Sequence, residues 1–271
     1  MKKKHLIALA VCSIATSTSF ALGSTAQAAA IDQQQSNVSL HPNLPSTAIS
    51  FFAPIGYGPN WGVMYGSISG VNRWPGGHQA DGSALVGAGL GNSDRYLGGS
   101  INYLIDSVGL NEPFAQNSAL SGAVTRWLNP NTSIAVGAGR IFGSGAFEAT
   151  SYNLFAAGTH LIPLTPNRSY STPVAVTVGF GSGSFVSFNE MRLAHRDGPV
   201  QAFGALSVSP IEQLSLVADY TSQILSCGLS IIPFKRIPLV VAGYATNIAG
   251  GNILPGPVTY GLRAGFGIAF A

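Results

Sequence analysis

Apolar and polar positions alternate along the last stretch of the chain, from Thr259 to Phe270. One face carries the apolar and aromatic residues Tyr260, Leu262, Ala264, Phe266, Ile268 and Phe270. The other face carries the small or polar residues Thr259, Gly261, Arg263, Gly265, Gly267 and Ala269. A period of two over about ten residues predicts a β-strand. It is also the pattern of a strand that crosses a membrane in a barrel, with lipid on one side and a lumen on the other.

Similar segments follow one another from Trp61 onwards and predict an all-β protein, a closed antiparallel transmembrane β-barrel of about 12 strands. The predicted strands are Trp61–Asn72, Gly82–Gly91, Arg95–Val108, Ser118–Leu128, Thr132–Phe142, Thr150–Ile162, Pro173–Gly181, Val200–Ser209, Leu214–Thr221, Gln223–Ile232, Pro238–Ile248 and Val258–Phe270. Most connections after even-numbered strands are short and rich in Asn, Asp or Pro, and most of the others are longer. Short periplasmic turns and long external loops are typical of outer-membrane barrels. The exceptions are the longer turn Pro163–Thr172 and the tight one near Ser222.

The composition favours a membrane barrel over a soluble domain. Charged residues make up 8% of the chain, whereas a soluble domain of this size has about a quarter. The apolar stretches are interrupted by Gly, Pro, Ser and Thr, so none offers the roughly 20 consecutive apolar residues of a membrane helix. A membrane protein without such helices must close its backbone hydrogen bonds in a barrel.

The N-terminus predicts export. Lys2, Lys3 and Lys4 precede an apolar run from Leu6 to about Ile14, and small residues lead to Ala30. This pattern predicts a signal peptide over residues 1–30, with cleavage near Ala28 or Ala30. Lipidation at Cys12 is a less favoured alternative. Residues 31–60 hold three Gln and four Pro beside short apolar pieces, and we interpret them as a periplasmic linker or a partial plug. We expect residues 61–271 to form the barrel.

After cleavage, the net charge falls close to zero, because the three lysines of the signal are lost. The remaining nine Arg and Lys235 balance ten acids, so the composition gives no indication of nucleic-acid binding. Cys227 would then be the only cysteine, which excludes an intrachain disulfide, and strand parity places it on the lipid-facing side with Leu225 and Leu229.

Strand parity also assigns polar residues to the lumen. A charge facing lipid near the midplane costs about 2–4 kcal/mol for Arg, so charged residues are expected to point inwards. The predicted lumen residues, which could form a constriction that selects solutes, are Ser100, Asn102, Asp106, Gln201, Asp219 and Arg263. Ser207 and Ser215 share this parity. An internal network of salt bridges and hydrogen bonds that fills a narrow barrel is an equal alternative for these residues.

Aromatic residues concentrate near the predicted strand ends, where barrels carry aromatic girdles. Trp61, Tyr96, Trp127, Phe234 and Phe270 lie near the predicted periplasmic ends, and Tyr152, Phe180, Tyr220 and Tyr260 near the external ends. Arg126 and Arg140 share parity with apolar residues near strand ends, and we expect their charges to reach the interface.

Signals for catalysis are weak, and no catalytic residue, metal site or cofactor is predicted. The five histidines are scattered, and no His, Cys or carboxylate cluster has metal-ligand spacing. Strings such as Gly143-Ser144-Gly145 lack the strand–elbow–helix setting of a hydrolase. An outer-membrane hydrolase using His160 or His195 is a minor alternative. The longest predicted external loop, Ser182–Pro199, concentrates Glu190, Arg192, His195, Arg196 and Asp197, which are candidates for external ligand contact.

Several stretches resemble an uncharacterised family of outer-membrane β-barrel proteins of the cyanobacterial type. They are Tyr57-Gly58-Pro59-Asn60-Trp61-Gly62, the run from Val86 to Gly98, and the run from Leu214 to Tyr220, with continuations at Leu225–Pro233 and Ile237–Ile248. The likeness covers most of the chain after about Tyr57. The family has no known substrate or catalytic residues, so the resemblance implies architecture only. The last strand also resembles the C-terminal assembly signal of such barrels, although Ala271 follows Phe270.

The sequence thus predicts an outer-membrane protein of a Gram-negative-type cell. Its expected partners are outer-membrane lipids, the barrel-assembly machinery through the C-terminal strand, and small solutes. The favoured function is a passive pore for small solutes, and the protein is not expected to be an enzyme. One alternative is a non-conducting structural or adhesive barrel that binds through its external loops. The other is a secreted soluble β-sandwich, which the scarcity of charges disfavours.

Overall fold

The structure, a computed structural model, describes residues 41–72, 80–106, 117–144, 153–165, 170–185, 200–222, 224–249 and 257–270. Within them the chain forms twelve strands and one short 3-10 turn, Gly183–Phe185. The strands are β1 Val63–Val71, β2 Asp81–Gly91, β3 Gly98–Asp106, β4 Asn117–Asn129, β5 Thr132–Ser144, β6 Asn153–Pro163, β7 Pro173–Gly181, β8 Gln201–Ile211, β9 Leu214–Tyr220, β10 Leu225–Ile231, β11 Leu239–Thr246 and β12 Thr259–Ala269. Each predicted strand has its counterpart in this series.

The twelve strands close into one antiparallel barrel. Each strand pairs with its neighbours in the sequence, and β1 pairs with β12 along its whole length, from Val63 opposite Ala269 to Val71 opposite Gly261. The sequence-based prediction of a closed antiparallel barrel of about 12 strands is confirmed. No helix in the described part of the chain has the length and apolarity needed to cross a membrane.

The barrel has two different ends. Short turns follow β2, β4, β8 and β10, and we call the end that carries them the turn end. Both β1 and β12 have their outer termini, Val63 and Ala269, at this end, since they run antiparallel from there. The connections after β1, β3, β5, β7 and β11 lie at the opposite end, the loop end, and include residues outside the described ranges.

Apolar and polar side chains are distributed in the opposite sense to a soluble protein. The outer face exposes large apolar residues, including Met64, Ile68, Val86, Ile101, Val124, Val136, Val178, Leu206, Leu216, Leu229, Leu262 and Phe266. The inner face buries small hydroxyl side chains, among them Ser67, Ser100, Ser121, Thr125, Ser133, Thr159, Thr177, Ser207, Ser215, Ser226, Ser230 and Thr246. Cys227 is exposed on the outer face between Leu225 and Leu229, as its parity predicts. Strand alternation therefore separates an apolar outer face from an inner face on which hydroxyl groups are mixed with buried aromatic and aliphatic side chains.

Aromatic side chains on the inner face lie across glycines of the neighbouring strand. Tyr65 stands directly opposite Gly87, Phe155 opposite Gly137, Phe203 opposite Gly179, and Tyr244 opposite Gly261. A Cβ at any of these glycines would come within about 2.3–2.5 Å of the facing ring. The rings need the space that glycine leaves, and in return they cover the backbone there.

Two predictions about the strand ends are wrong. Trp127 is not part of an outer girdle, because its ring points into the barrel and is buried. Arg140 is also buried, since it lies where β4 and β5 lose register between Leu120 and Gly122, and its φ of 55° turns the side chain out of the strand alternation. The other described girdle candidates, Trp61, Tyr96, Phe180, Tyr220, Phe234, Tyr260 and Phe270, are exposed. Tyr152 lies outside the described residues.

Candidate functional site in the barrel lumen

Residues 41–60, which precede the barrel, lie inside it, and we call them the lumen segment. The segment has no strand or helix of its own, yet most of it is buried, from Leu44 to Pro59. Its large buried side chains are Leu44, Ile49, Phe51, Phe52, Ile55 and Tyr57. These side chains pack against inner-face residues of the wall such as Trp127, Leu161, Val217 and Tyr244.

Both ends of the lumen segment meet at one carboxylate, Asp94, in the turn between β2 and β3. The Nε2 atom of His41 lies 2.5 Å from Asp94 Oδ1, and the amide of Asn60 donates to Asp94 Oδ2 over 2.7 Å. Asn60 also accepts hydrogen bonds from the backbone N–H and hydroxyl of Ser93. The segment therefore enters and leaves the lumen at the turn end, as a hairpin-shaped loop.

The ring of His41 is held on three sides. It stacks on Trp127 with 3.7 Å between ring centroids, and its Nδ1 lies 3.0 Å from the carbonyl oxygen of Pro130. Asp94 and Pro130 therefore fix the plane of the imidazole ring, and Trp127 covers one of its faces.

Two buried charged residues of the wall form hydrogen bonds with the tip of the loop, Ser50–Ala53. Asp219 Oδ2 accepts hydrogen bonds from the backbone N–H of Phe51 at 2.5 Å and of Phe52 at 2.8 Å. Arg263 Nη1 donates to the carbonyl oxygen of Phe51 over 2.9 Å. Asp219 is 2% exposed and Arg263 is 1% exposed, so both charges are removed from water and satisfied in part by the lumen segment.

Hydroxyl groups of the wall bind the two limbs of the loop. On the inward limb, the hydroxyls of Thr47 and Ser215 are in direct hydrogen-bond contact, and Ala48 N donates to Ser230 Oγ at 3.1 Å. On the returning limb, Gly56 N donates to Thr159 Oγ1 at 2.8 Å. A Cβ at Gly56 would lie 2.5 Å from the carbonyl oxygen of Ser133, so this limb runs directly against the wall.

The structure places the predicted lumen residues on the inner face wherever their side chains are described. Ser100, Asn102, Asp219 and Arg263 are buried, and Gln201 is partly buried with inner-face parity. It brings Asp219 and Arg263 together at the tip of the lumen segment, whereas Asn102 binds Tyr65 elsewhere on the wall. The side chain of Asp106 lies outside the described part of the structure, as do the loop candidates Glu190, Arg192, His195, Arg196 and Asp197.

Sequence reasoning did not select His41, Asp94 or the tip residues as parts of one site. The apolar run Ile49-Ser50-Phe51-Phe52 inside a Pro-rich segment was the available signal, because a solvated linker has no need of such residues. Their partners lie far away in the chain, since Phe51 and Asp219 are 168 positions apart. No local pattern shows a contact of that separation.

Docking of the lumen segment is expected to weaken in acid. The hydrogen bond from His41 holds the pKa of Asp94 below its ordinary value of 3.8, with help from Asn60 and against the effect of partial burial. A carboxylate whose folded-state pKa is depressed stabilises the docked state above its unfolded value, and this contribution is lost as the pH falls through the lower value. Protease cleavage within residues 41–60, measured between pH 7 and pH 2, should therefore accelerate at the acidic end.

The matched variants for this test are Asp94→Asn and Glu212→Gln. Asp94→Asn should speed cleavage at neutral pH and flatten the acid response, because it removes the titrating group. Glu212→Gln removes an exposed carboxylate, paired with Lys235, from the same end of the barrel and should leave the profile unchanged. An unaltered profile in Asp94→Asn would contradict the assigned role of Asp94.

Among the described residues, no three His, Cys, Asp or Glu side chains lie close enough together to hold a metal ion. The site is instead a lumen filled by the protein's own chain, with the carboxylate of Asp94 at the turn end and Asp219 and Arg263, each bound to the backbone of the segment, at the tip. The sequence matches no family model. No curated protein matches it either.

Proposed function

We propose that this protein is an outer-membrane β-barrel that passes small polar solutes and is closed at rest by its own lumen segment. The observation that carries the proposal is a barrel with an apolar outer face whose hydroxyl-rich lumen is filled by the lumen segment, which hydrogen bonds and packing contacts hold in place. The resemblance of the strand motifs to outer-membrane barrels of the cyanobacterial type supports the membrane assignment.

The outer surface supports membrane insertion. Large apolar side chains are exposed on every strand except β11, whose outward positions are half-buried, and so extensive an apolar surface would aggregate in water. The charged groups Asp219 and Arg263 point inwards. Arg126 faces outwards beside the turn end, where its guanidinium donates to the carbonyl oxygen of Tyr96. This distribution matches a barrel whose middle faces hydrocarbon and whose charges stay inside or near an interface.

The lumen supports passage of polar solutes once it is emptied. Its wall is rich in Ser and Thr hydroxyls, which water can hydrate after the lumen segment leaves. Twelve strands enclose a lumen between those of filled eight-stranded barrels and of open porins with about 16–18 strands. The segment therefore occupies the space through which solutes would move, and its displacement is the opening step.

A disulfide that ties the lumen segment to the wall tests the proposal. The hydroxyls of Thr47 and Ser215 touch, so Thr47→Cys combined with Ser215→Cys places two thiols within bonding reach. The full chain, with Cys12 and Cys227 changed to Ser, is reconstituted in planar bilayers. Single-channel currents are expected in the reduced state, to vanish on oxidation, and to return when reductant is added.

The control disulfide joins two wall strands and leaves the segment free. Ser69 and Ser83 stand opposite each other on β1 and β2 with 2.8 Å between their hydroxyl oxygens. The double variant Ser69→Cys with Ser83→Cys should form its disulfide on oxidation, and its single-channel current should not change. Currents that survive oxidation of the Thr47–Ser215 pair would exclude displacement of the lumen segment as the opening step.

A second candidate function is a non-conducting barrel that acts through its external loops. The observation that favours it is the apolar burial of the lumen segment, since six large side chains are removed from water there. Each contributes about 1.5–3 kcal/mol, which opposes opening. This candidate would be supported, and the pore overturned, if correctly inserted protein carried no current. The absence of current would have to hold both for the reduced disulfide variant and for a variant whose lumen segment is displaced, such as Gly56→Ala.

A further inference from the structure

The hydrogen bonds between the wall and the tip of the lumen segment have the pattern of a peptide-binding site. Asp219 accepts from the N–H groups of two consecutive residues, Phe51 and Phe52, and Arg263 donates to the carbonyl group between them. These three bonds are made to main-chain atoms of one dipeptide unit. Any dipeptide of the same geometry offers the same three groups, so the wall recognises a backbone rather than this segment alone.

Aromatic contacts add selectivity for side chains to these backbone hydrogen bonds. The ring of Tyr244 lies 5.4 Å from the ring of Phe51 and 5.1 Å from that of Phe52, the second in an edge-on geometry. The guanidinium of Arg263 lies 5.6 Å from the Phe52 ring and 5.4 Å from the Tyr244 ring. Ring pairs at such separations contribute about 0.5–1.5 kcal/mol beyond simple burial. Two adjacent aromatic side chains therefore fit this site.

The lumen segment does not use the whole hydrogen-bonding capacity of the carboxylate. Asp219 Oδ1 is buried and has no hydrogen-bond partner within the described ranges, whereas Oδ2 binds both backbone N–H groups. A secondary amide at the position of Phe51 N has only one hydrogen to donate. A free ammonium group at the same position has three, so it can reach both oxygens and would also bring a positive charge to the carboxylate.

We propose that Asp219, Arg263 and Tyr244 form a binding site for short peptides that begin with two aromatic residues, and that the lumen segment occupies this site in the resting barrel. The ammonium group of the ligand would take the place of Phe51 N, its first carbonyl group would bind Arg263, and its two rings would pack against Tyr244. This inference rests on the proposed function, because the site opens only when the lumen segment leaves. It identifies short aromatic peptides as solutes that bind in the lumen while they pass through the barrel.

The test measures equilibrium binding and does not depend on conductance. Phenylalanyl-phenylalanine amide is titrated calorimetrically into two variants of the full chain folded in detergent, Gly56→Ala and Gly58→Ala. The first substitution weakens the returning limb without touching the site, and the second leaves the segment in place, since a Cβ at Gly58 has ordinary contact distances. A tethered segment competes at an effective concentration in the millimolar range, so binding to Gly56→Ala should be at least about tenfold tighter. Phe51→Ala, which loosens the tip instead, gives the same comparison if Gly56→Ala does not fold.

Three further titrations decide the identity of the site. Adding Asp219→Asn to Gly56→Ala should weaken binding by about tenfold or more, because the charged acceptor is lost. N-acetylation of the dipeptide should weaken it by a similar factor, and alanyl-alanine amide should not bind measurably. Equal binding of the aromatic and alanyl peptides, no effect of Asp219→Asn, or no binding at all would overturn the inference. The disulfide experiment on conductance would be unaffected by any of these results, so failure of the site and failure of the pore are distinguishable.

Discussion

Replacing Asp219 with leucine is expected to release the tip of the lumen segment and to destabilise the protein strongly. The substitution leaves the buried N–H groups of Phe51 and Phe52 without their acceptor, at about 1–3 kcal/mol for each. It also removes the negative charge near the buried guanidinium of Arg263, and an uncompensated buried charge costs about 3–5 kcal/mol. The segment can avoid most of these penalties by leaving the lumen, because water outside the lumen forms hydrogen bonds with its amides.

Hydrogen exchange at the amides of residues 51 and 52 measures this release directly. Protection of both amides should be lost in Asp219→Leu, kept in part in Asp219→Asn, whose amide oxygen still accepts, and retained in full in Glu212→Gln. The last variant breaks an exposed ion pair with Lys235, for which about 0–1 kcal/mol is expected. Full protection in Asp219→Leu would show that the carboxylate does not hold the tip. Channel currents in the same variant should become more frequent than in the unmodified chain.

Gly56→Ala is expected to unseat the returning limb of the lumen segment. The added methyl group would lie 2.5 Å from the carbonyl oxygen of Ser133 and 2.6 Å from the backbone nitrogen of Thr159. Both atoms belong to the main chain of the barrel wall, which is fixed by its strand pairing and cannot move aside as a flexible side chain would. Overpacking of this kind costs about 1–3 kcal/mol, and here undocking of the segment relieves it.

Gly58→Ala is the matched control, two residues further along the same limb. A Cβ there would lie 3.4 Å from the nearest atom, a methyl carbon of Thr125, which is an ordinary contact. This variant should differ from the unmodified chain by less than about 1 kcal/mol. Protease cleavage within residues 41–60 and open-channel probability should both rise in Gly56→Ala and stay unchanged in Gly58→Ala. Equal behaviour of the two variants would contradict the close fit of Gly56 against the wall.

The sequence carried most of the information about the barrel wall. Strand alternation needs only neighbouring residues, so the pattern from Tyr260 to Phe270 predicts both a strand and the direction in which each side chain points. The same rule placed Asp219 and Arg263 on the inner face, where they are buried. The rule failed at Arg140, because a bulge interrupts the alternation there. At Trp127 the alternation agrees with the buried inner position, and only the girdle prediction, which rested on its place near a strand end, is wrong.

The sequence by itself determined the strands, their order and the two faces of the wall, since each follows from alternation and turn residues that are local in the chain. Only the tertiary structure decided the path of residues 41–60 and the meeting of Phe51 with Asp219 and Arg263. The lumen segment has no periodicity, and Phe51 lies 212 residues from Arg263, so its contacts exist only after the barrel has closed. A closed wall removes the two charges from water, and the segment that enters it supplies the hydrogen bonds that they lose.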